Sequence, residues 1–444
     1  MTLSEFSQKG FELLESNDPE LFGLLNSENQ RQNDVLAMIA ASSVADPSVL
    51  ACEGTATVNV TTEGYPGARF HAGCQYVDEI ELLAIDRAKK AFNAQYVNVQ
   101  PHSGSSANGV ILFSLLKPGD TILGLDLDAG GHLTHGSKAS VSGRYFNAIG
   151  YGLDENGYID YESVHELALK HKPSLIICGA SAYPREIDFK RFREIADEVG
   201  AYLLADISHI AGLVVGGVHN SPVDHAHFTT TSTYKQLYGP RGGLIIMGRD
   251  FDKVGPDGKT PLSSVIQRGV FPYFQGTPIL SAIAAKARAL DMVQKPGFAE
   301  MMSTIVKDAR ALSDYFIKKG YRVLTGGTDN HIVLIDILEA KGITGVVAER
   351  ALEECNIIIN KNRIAGDKKS AFVTSGIRLG TNSLALRGLN ADQMEECGEL
   401  IDRVLSSINI VSDKEYKLDQ SVISEVKNKV KSICDHHPIP NYVS

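Results

Sequence analysis

A single lysine, Lys235, stands in the stretch His225 to Gly243, HAHFTTTSTYKQLYGPRGG. On one side lies a hydroxyl-rich run (Thr229, Thr230, Thr231, Ser232, Thr233), and on the other a stiff cationic turn (Gly239, Pro240, Arg241, Gly242, Gly243). A surface lysine with a pKa of about 10.4 is a poor nucleophile at neutral pH. One that is desolvated among small polar groups and beside a second cation can form a Schiff base. Lys235 is therefore a candidate covalent anchor, and the plainer alternative is a solvated charge in a polar loop.

Other residues offer complementary chemistry. Gln100 to Asn108, QPHSGSSAN, follows a predicted strand and opens a predicted helix. There Ser103, Gly104 and Ser105 would present N–H groups and hydroxyls where a helix dipole favours an anion such as phosphate; the alternative is an ordinary N-cap. No Walker-type lysine follows, so a phosphate held there would be anchored and not transferred. Asp206 ends the apolar run YLLA, where a carboxylate suits the protonated ring nitrogen of a pyridine cofactor, or else simply caps the next turn. His209 could donate to a ring hydroxyl. In GGHLTHG, His132 could stack on a flat ring, pair with His135 on a metal, or be a plain loop histidine; the spacing of three among glycines disfavours the metal, and none is expected. Arg378, in TSGIRLGT, has the planar fork that binds a carboxylate bidentately, or forms a surface ion pair. A lysine anchor, a pyridinium partner, a phosphate turn, a stacking imidazole and a carboxylate clamp are together what a pyridoxal phosphate enzyme acting on amino acids requires.

Such residues work only if a fold gathers them. Candidate strands are Tyr96 to Gln100, Thr121 to Leu125, Phe146 to Ile149, Leu175 to Cys178, Tyr202 to Ala205, Phe228 to Thr231 and Leu244 to Met247. Helical stretches such as Ser106 to Leu116, Tyr161 to Leu169 and Phe189 to Val199 lie between them. The alternation predicts an α/β layer, a mainly parallel mixed sheet covered by helices, with ligands at the carboxyl ends of its strands. Upstream come an amphipathic helix over Phe6 to Leu14, an extended arm restarted at Asn17-Asp18-Pro19, a turn-rich loop holding Glu63, Arg69, Phe70 and His71, and a helix from Asp78 to Phe92. Pro296-Gly297 marks a boundary, beyond which the pattern becomes a smaller α+β domain. The expected organisation is an N-terminal helix and arm over 1–30, a large cofactor-binding domain over 31–295 and a small C-terminal domain over 296–444.

Composition narrows the class. The 444 residues, 43% hydrophobic and 22% charged, predict a soluble globular chain with a large core. A net charge of -10 without a dense basic block argues against nucleic acid or an anionic membrane as partner. The acidic N-terminus lacks a signal-peptide pattern and no apolar run approaches a membrane span, so a cytoplasmic location is expected. Six scattered cysteines predict buried thiols rather than a disulfide frame.

The segments GCQYVDEIE, NVQPHSGSSAN, GGHLTHG, SAYPR, ADISHIAGLV, TYKQLYGPRGG, FPYFQGTP and FVTSGIRLGT, in this order, resemble the motifs of serine hydroxymethyltransferases over nearly the whole chain. The resemblance implies a fold-type I pyridoxal phosphate enzyme, a homodimer or homotetramer whose active sites are shared across subunits. Carried over position by position, it implies that Lys235 holds the cofactor and Asp206 its ring nitrogen. Ser181 and His209 would meet the ring oxygen and His132 would stack on the ring. Ser103, Gly104, Ser105 and Ser232, with Gly276 from the neighbouring subunit, would complete the cofactor site. Arg378 would bind the substrate carboxylate, and the partner's Glu63 would relay the proton at the hydroxyl. Leu127, Leu133, Asn362 and Phe372 fall where the family binds the pterin of tetrahydrofolate.

The chain also departs from the family pattern. Ala41-Ser42-Ser43 replaces a Ser-Glu-Asn motif, Thr61 and His71 replace two tyrosines near the substrate, and Phe70 replaces a third. Tyr234, Tyr238 and Thr277 stand where the family has histidine, arginine and glycine. A hydrogen bond to a charged group contributes roughly 1.5 to 3 kcal/mol, so lost donors at positions 41 and 61 predict weaker binding of glycine or serine. The expected chemistry is retro-aldol cleavage or formation of the Cα–Cβ bond of a β-hydroxy amino acid, serine-like or α-substituted, with tetrahydrofolate as one-carbon acceptor. Alternatives are a folate-independent aldolase or transaldolase on a bulkier amino acid, and a catalytically silent scaffold.

Overall fold

The computed structural model describes residues 1–440; the last four residues of the expected 296–444 domain lie outside them. A seven-stranded mixed sheet runs in the order Tyr96–Asn98, Gly243–Met247, Phe228–Ser232, Tyr202–Asp206, Leu175–Gly179, Thr121–Leu125, Asn147–Tyr151. Pairing is parallel from Phe228–Ser232 onwards, while Gly243–Met247 is antiparallel to both of its neighbours.

Strand residues alternate between two apolar layers, as a period of two requires. Ile122, Leu175, Ile177, Leu204, Phe228 and Ile245 face one layer, which holds Ala107, Val110 and Ile111 of the Gly104–Leu115 helix. Leu123, Ile176, Cys178, Leu203, Ala205, Leu244 and Ile246 face the other, against helices that include Phe189–Val199. That helix shows why these segments are helical. Asp188 caps its start by accepting from Arg191 N, Gly200 ends it at φ +70°, and Phe189, Phe192, Ile195 and Ala196 form its buried stripe. Each fully buried side chain of this size contributes about 1.5–3 kcal/mol of transfer free energy.

A second core surrounds a four-stranded antiparallel sheet in the order Arg322–Val323, Ile332–Asp336, Gly376–Gly380, Asn360–Asn362. The Pro296–Lys318 helix serves both cores, placing Phe298, Met302 and Ile305 in the first and Ala309, Leu312 and Phe316 in the second. Leu36 and Met38 also belong to the second core, because Leu36–Ala37 pairs in parallel with Ile357–Ile358. The expected extended arm is instead a second helix, Pro19–Asn33. Pro19 takes the first turn, where its missing N–H costs nothing, and Asp18 caps it by accepting from Leu21 N at 3.1 Å. Neither Leu3–Asn17 nor Pro19–Asn33 buries a residue.

Candidate active site

The carboxyl ends of the parallel strands, as the topology dictates, converge on one cavity of roughly 190 Å³. Its lining includes Ser103, Gly104, Ser105, His132, Ser181, Asp206, His209, Ser232 and Lys235. Asp206 and Ser232 are the last residues of their strands, and Ser103 caps the Gly104–Leu115 helix by accepting from Ser106 N at 3.0 Å.

Lys235 is 7% exposed and makes no ion pair or side-chain hydrogen bond among the described residues. Burial pulls its ammonium down to about 8; Asp206 opposes that shift, and Arg378 and Arg241 add to it. The loop carrying it is tightly fixed. Tyr238 N donates to Lys235 O at 3.1 Å, Gly239 N to Thr233 O at 2.9 Å, and Thr233 Oγ1 to Pro240 O at 2.7 Å. Tyr238 itself sits at φ +51°, a left-handed conformation that costs a non-glycine residue roughly 1–2 kcal/mol.

Asp206 is buried and strongly held. Burial alone would raise its carboxyl, but hydrogen bonding and the charge of His135 hold it far below the usual carboxylate range. Its Oδ2 accepts from Asn108 Nδ2 at 2.7 Å and meets His135 Nε2 at 3.1 Å, while Oδ1 accepts from Ser208 N at 3.0 Å. Asn108 also donates to Thr134 Oγ1 at 2.9 Å and accepts from Thr230 Oγ1 at 2.5 Å. His132 Nδ1 meets the same Thr134 hydroxyl at 2.7 Å, and burial pulls His132 down to about 4, so its imidazole is neutral near pH 7. His132, His135 and Asp206 lie close enough for a metal, but His132 Nδ1 already meets Thr134 and His135 Nε2 already meets the Asp206 carboxylate. Burial also drives His209 well below its ordinary value, and its ring stacks on His331 at 5.8 Å.

Arg378 is half-buried, and desolvation pulls its guanidinium down to about 10. It donates through Nε to Asn360 Oδ1 at 3.1 Å and through Nη1 to Ser181 O at 2.5 Å, with no carboxylate partner among the described residues. Its second terminal nitrogen is uncommitted. The buried Ser232 Oγ and His209 Nδ1 likewise have no partner among the described residues. A Cβ on Gly104 would come within 3.2 Å of both Ser208 Oγ and Ser232 N, so the chain passes there with little room for a side chain. Unmet donors at a helix N-terminus, an unpaired lysine and an anchored carboxylate on one cavity fit a phosphorylated pyridine aldehyde.

Not every expected residue gathers here. Glu63, His71, Thr61 and Gly276 do not line this cavity. Glu63 Oε2 lies 3.4 Å from His71 Nε2, and a Cβ on Gly276 would fall 3.7 Å from Glu63 Oε1, so three of these form a separate, solvent-facing group. Arg69 is committed to Asp78 at 2.7 Å and Glu81 at 2.6 Å. Ala41 lines a neighbouring cavity of roughly 490 Å³ that shares Tyr234 and Arg241 with the first. Arg241 lies over the Tyr234 ring at 3.7 Å, forming the partition between them. Leu127 and Leu133 are exposed, Asn362 Nδ2 donates to Arg363 O at 2.6 Å, and Phe372 is 80% exposed. A 2.5 Å ion pair between Arg363 and Asp128 brings the neighbours of Asn362 and Leu127 together. The sequence did not single out Asn108, Ser208 or the role of His135. The available signal was a polar Asn108 inside the apolar helix SSANGVILF, where only a committed amide is tolerated.

A family model for serine hydroxymethyltransferase matches residues 14–401. The chain is 47% identical over 440 residues to the serine hydroxymethyltransferase of Chlorobium phaeovibrioides (strain DSM 265 / 1930), spanning 97% of this chain and 98% of that one. It is 47% identical over 419 residues to a probable serine hydroxymethyltransferase of Rickettsia bellii (strain RML369-C), spanning 94% and 97%. It is also 47% identical over 422 residues to one of Mesomycoplasma hyopneumoniae (strain 7448), spanning 95% and 97%.

Proposed function

The chain belongs to the serine hydroxymethyltransferase family, and from that premise we propose that it transfers a one-carbon unit between a β-hydroxy amino acid and tetrahydrofolate at the Lys235 cavity. The family uses pyridoxal phosphate and tetrahydrofolate. Bound there, pyridoxal phosphate supplies an electron sink that lets the Cα–Cβ bond of the amino acid break or form. The observation that carries the reading is the buried, unpaired Lys235 sharing one cavity with an anionic Asp206.

Each residue then has a task. Lys235, part neutral near pH 8, offers Nζ as the anchor. Asp206, oriented by Asn108, His135 and Ser208, holds a proton on a ring nitrogen. The helix N-terminus at Ser103, Gly104 and Ser105, with the free Ser232 hydroxyl, binds phosphate, and Ser181 and His209 meet the ring oxygen. Neutral His132 stacks on the ring. Arg378 orients the amino acid through its carboxylate.

Glu63 and His71 serve the same reaction from a partner subunit in a homodimer or homotetramer, Glu63 holding the proton at the substrate hydroxyl and Gly276 approaching the phosphate. Their separation from Lys235 within one chain supports this, as do the exposed aromatic rings of Phe70, Tyr76 and Tyr273 near them and the two N-terminal helices that bury nothing. Leu127, Leu133, Asn362 and Phe372 take the pterin. Ala41 and Thr61 leave the amino-acid side roomier than the family pattern, with His71 adding an imidazole, which favours an α-substituted or bulkier substrate beside serine. We keep the division into 1–30, 31–295 and 296–444 as a reading of the chain, with Leu36–Ala37 paired to the smaller unit and the start of the Pro296–Lys318 helix packed in the larger core. No helix among the described residues is long and apolar enough to cross a membrane, and we place the enzyme in the cytoplasm.

The test compares serine, α-methylserine and threonine with and without tetrahydrofolate. Serine turnover that depends on tetrahydrofolate supports hydroxymethyl transfer. Equal turnover without it favours an aldolase, and no turnover of any of the three defeats the reading.

A further inference from the structure

A second buried lysine sits beneath the anion turn. Lys286, on the Leu280–Met292 helix, is 2% exposed, and its ammonium donates to Val99 O at 2.6 Å, Gly243 O at 3.0 Å and Pro101 O at 3.1 Å. All three protons are used. The carbonyls belong to the two strand ends that shape the Ser103–Ser105 turn. Gly243 N donates to Pro101 O at 2.9 Å, and a Cβ on Gly243 would fall 2.3 Å from Ser103 O. The packing is close on the other side as well, where a Cβ on Gly242 would meet Lys286 Cε at 2.3 Å.

No carboxylate pairs with this ammonium among the described residues. Glu81, on the Gln75–Phe92 helix, is the acid that attracts it, and Glu81 is already engaged by Arg69 at 2.6 Å and Gln100 at 2.8 Å. His102 faces it from the turn, lowered by its own burial and then by the Lys286 charge. Arg87 donates to Ala287 O at 2.8 Å and lies 3.8 Å from Asp291, which Arg288 holds at 2.9 Å. Ser48, on the Pro47–Glu53 helix, accepts from Arg288 at 2.8 Å. Lys286 is thus a buried positive charge without a negative partner, directly behind a turn shaped to take an anion.

We propose that Lys286 is a positioning residue for the phosphate site: its ammonium locks the three carbonyls that set the Ser103–Ser105 turn and supplies the buried positive charge that a dianion at that turn neutralises. The inference rests on the reading of that turn as a phosphate anchor. It has a consequence in proton linkage. Burial pulls Lys286 down to about 7, so above neutral pH much of the cofactor-free protein carries it uncharged. A dianion arriving at the turn favours the charged form, so binding takes up a proton and weakens as pH rises.

The probe is pyridoxine 5'-phosphate, which has the phosphate and ring but no aldehyde to bond Lys235, titrated calorimetrically into cofactor-free full-length protein in two buffers of different ionisation enthalpy. At pH 8 the unmodified protein should take up a substantial fraction of a proton, and its affinity should fall by up to about tenfold per pH unit between pH 7 and 9. Lys286→Met should bind roughly tenfold or more weakly at pH 7, lose that share of the uptake and flatten the profile. Lys286→Arg, which keeps a charge that does not titrate, should recover affinity but not the Lys286 share of the uptake, leaving only what Lys235 contributes. Wild-type affinity and proton uptake in Lys286→Met would overturn the inference. If neither variant folds, binding by the unmodified protein without proton uptake overturns it just as well. No binding at all by the unmodified protein would overturn the phosphate reading and this inference with it.

Discussion

Lys235 and Lys286 are almost equally buried and stand at the same edge of the same sheet, yet they are built in opposite ways. Lys286 has every proton donated to a carbonyl, whereas Lys235 has none committed to the protein. Around Lys235 the pattern repeats, with Arg378 lacking a carboxylate and Ser232 Oγ and His209 Nδ1 lacking partners. A buried polar group left unpaired costs about 1–3 kcal/mol, so a fold keeps several together only where something else completes them. The satisfied lysine belongs to the floor and the unsatisfied one to the mouth of the site.

The sharpest way to break that contrast is to remove the mouth's own lysine. Lys235→Ala should lower serine cleavage on the order of 10⁴-fold or more while leaving thermal unfolding nearly unchanged, since the side chain makes no bond to lose; steady-state kinetics beside a melting curve reads both. Arg378→Leu should lower kcat/KM for the amino acid by about 10²- to 10³-fold, chiefly through KM, because a paired charge-assisted contact is worth roughly 3–4 kcal/mol.

The same substitution sharpens the electrostatic side of the comparison. Lys235 is pulled down to about 8 by burial first and by neighbouring cations second. Its neutral fraction therefore rises through pH 8, and stopped-flow capture by cofactor-free protein at saturating pyridoxal phosphate, where the pH dependence of phosphate affinity drops out, should quicken about tenfold per pH unit below 8 and level off above it. Removing the Arg378 charge should move that plateau to higher pH.

Asp308 tests whether an unmet buried group marks a site by itself. On the Pro296–Lys318 helix it is fully buried, both of its oxygens lack partners among the described residues, and burial raises its carboxyl to about 7. It lies in the middle of a helix and lines no part of the Lys235 cavity, so we assign it no chemistry. Its folded-state value lies above that of the unfolded chain, about 3.9. The stability cost is therefore absent below about pH 4, grows towards pH 7 and is complete above it. Asp308→Asn should stabilise the protein by about 1–2 kcal/mol at pH 8, a few degrees in melting temperature, and by nothing measurable at pH 4, with activity unchanged.

Much of this architecture was readable from the chain. Seven apolar runs flanked by helical stretches mapped onto seven strands because the inner ones are buried on both faces, while the edge strand Asn147–Tyr151 is largely exposed or half-buried. The strand-end rule then predicted that Asp206, Ser232, Lys235 and the Ser103 turn would meet, and one cavity holds all four. What stayed hidden depends on distance in space without a pattern in sequence. Asn108 orients Asp206 across 98 residues of chain, and Lys286 reaches carbonyls 43 to 187 residues away, while looking in sequence like one more polar break in an apolar helix. Glu63 and His71 were legible as a cluster, but their distance from Lys235 within the chain was not, because only the resemblance and no local pattern set Glu63 apart from the Lys235 site.

The most direct measurement is to incubate the cofactor-free protein with pyridoxal phosphate, reduce it with borohydride and locate the adduct by peptide mass spectrometry. A visible absorption band before reduction and a single pyridoxyl group on Lys235 are the expected result. No band, or an adduct spread over surface lysines with Lys235 unmodified, would contradict the assignment of this cavity.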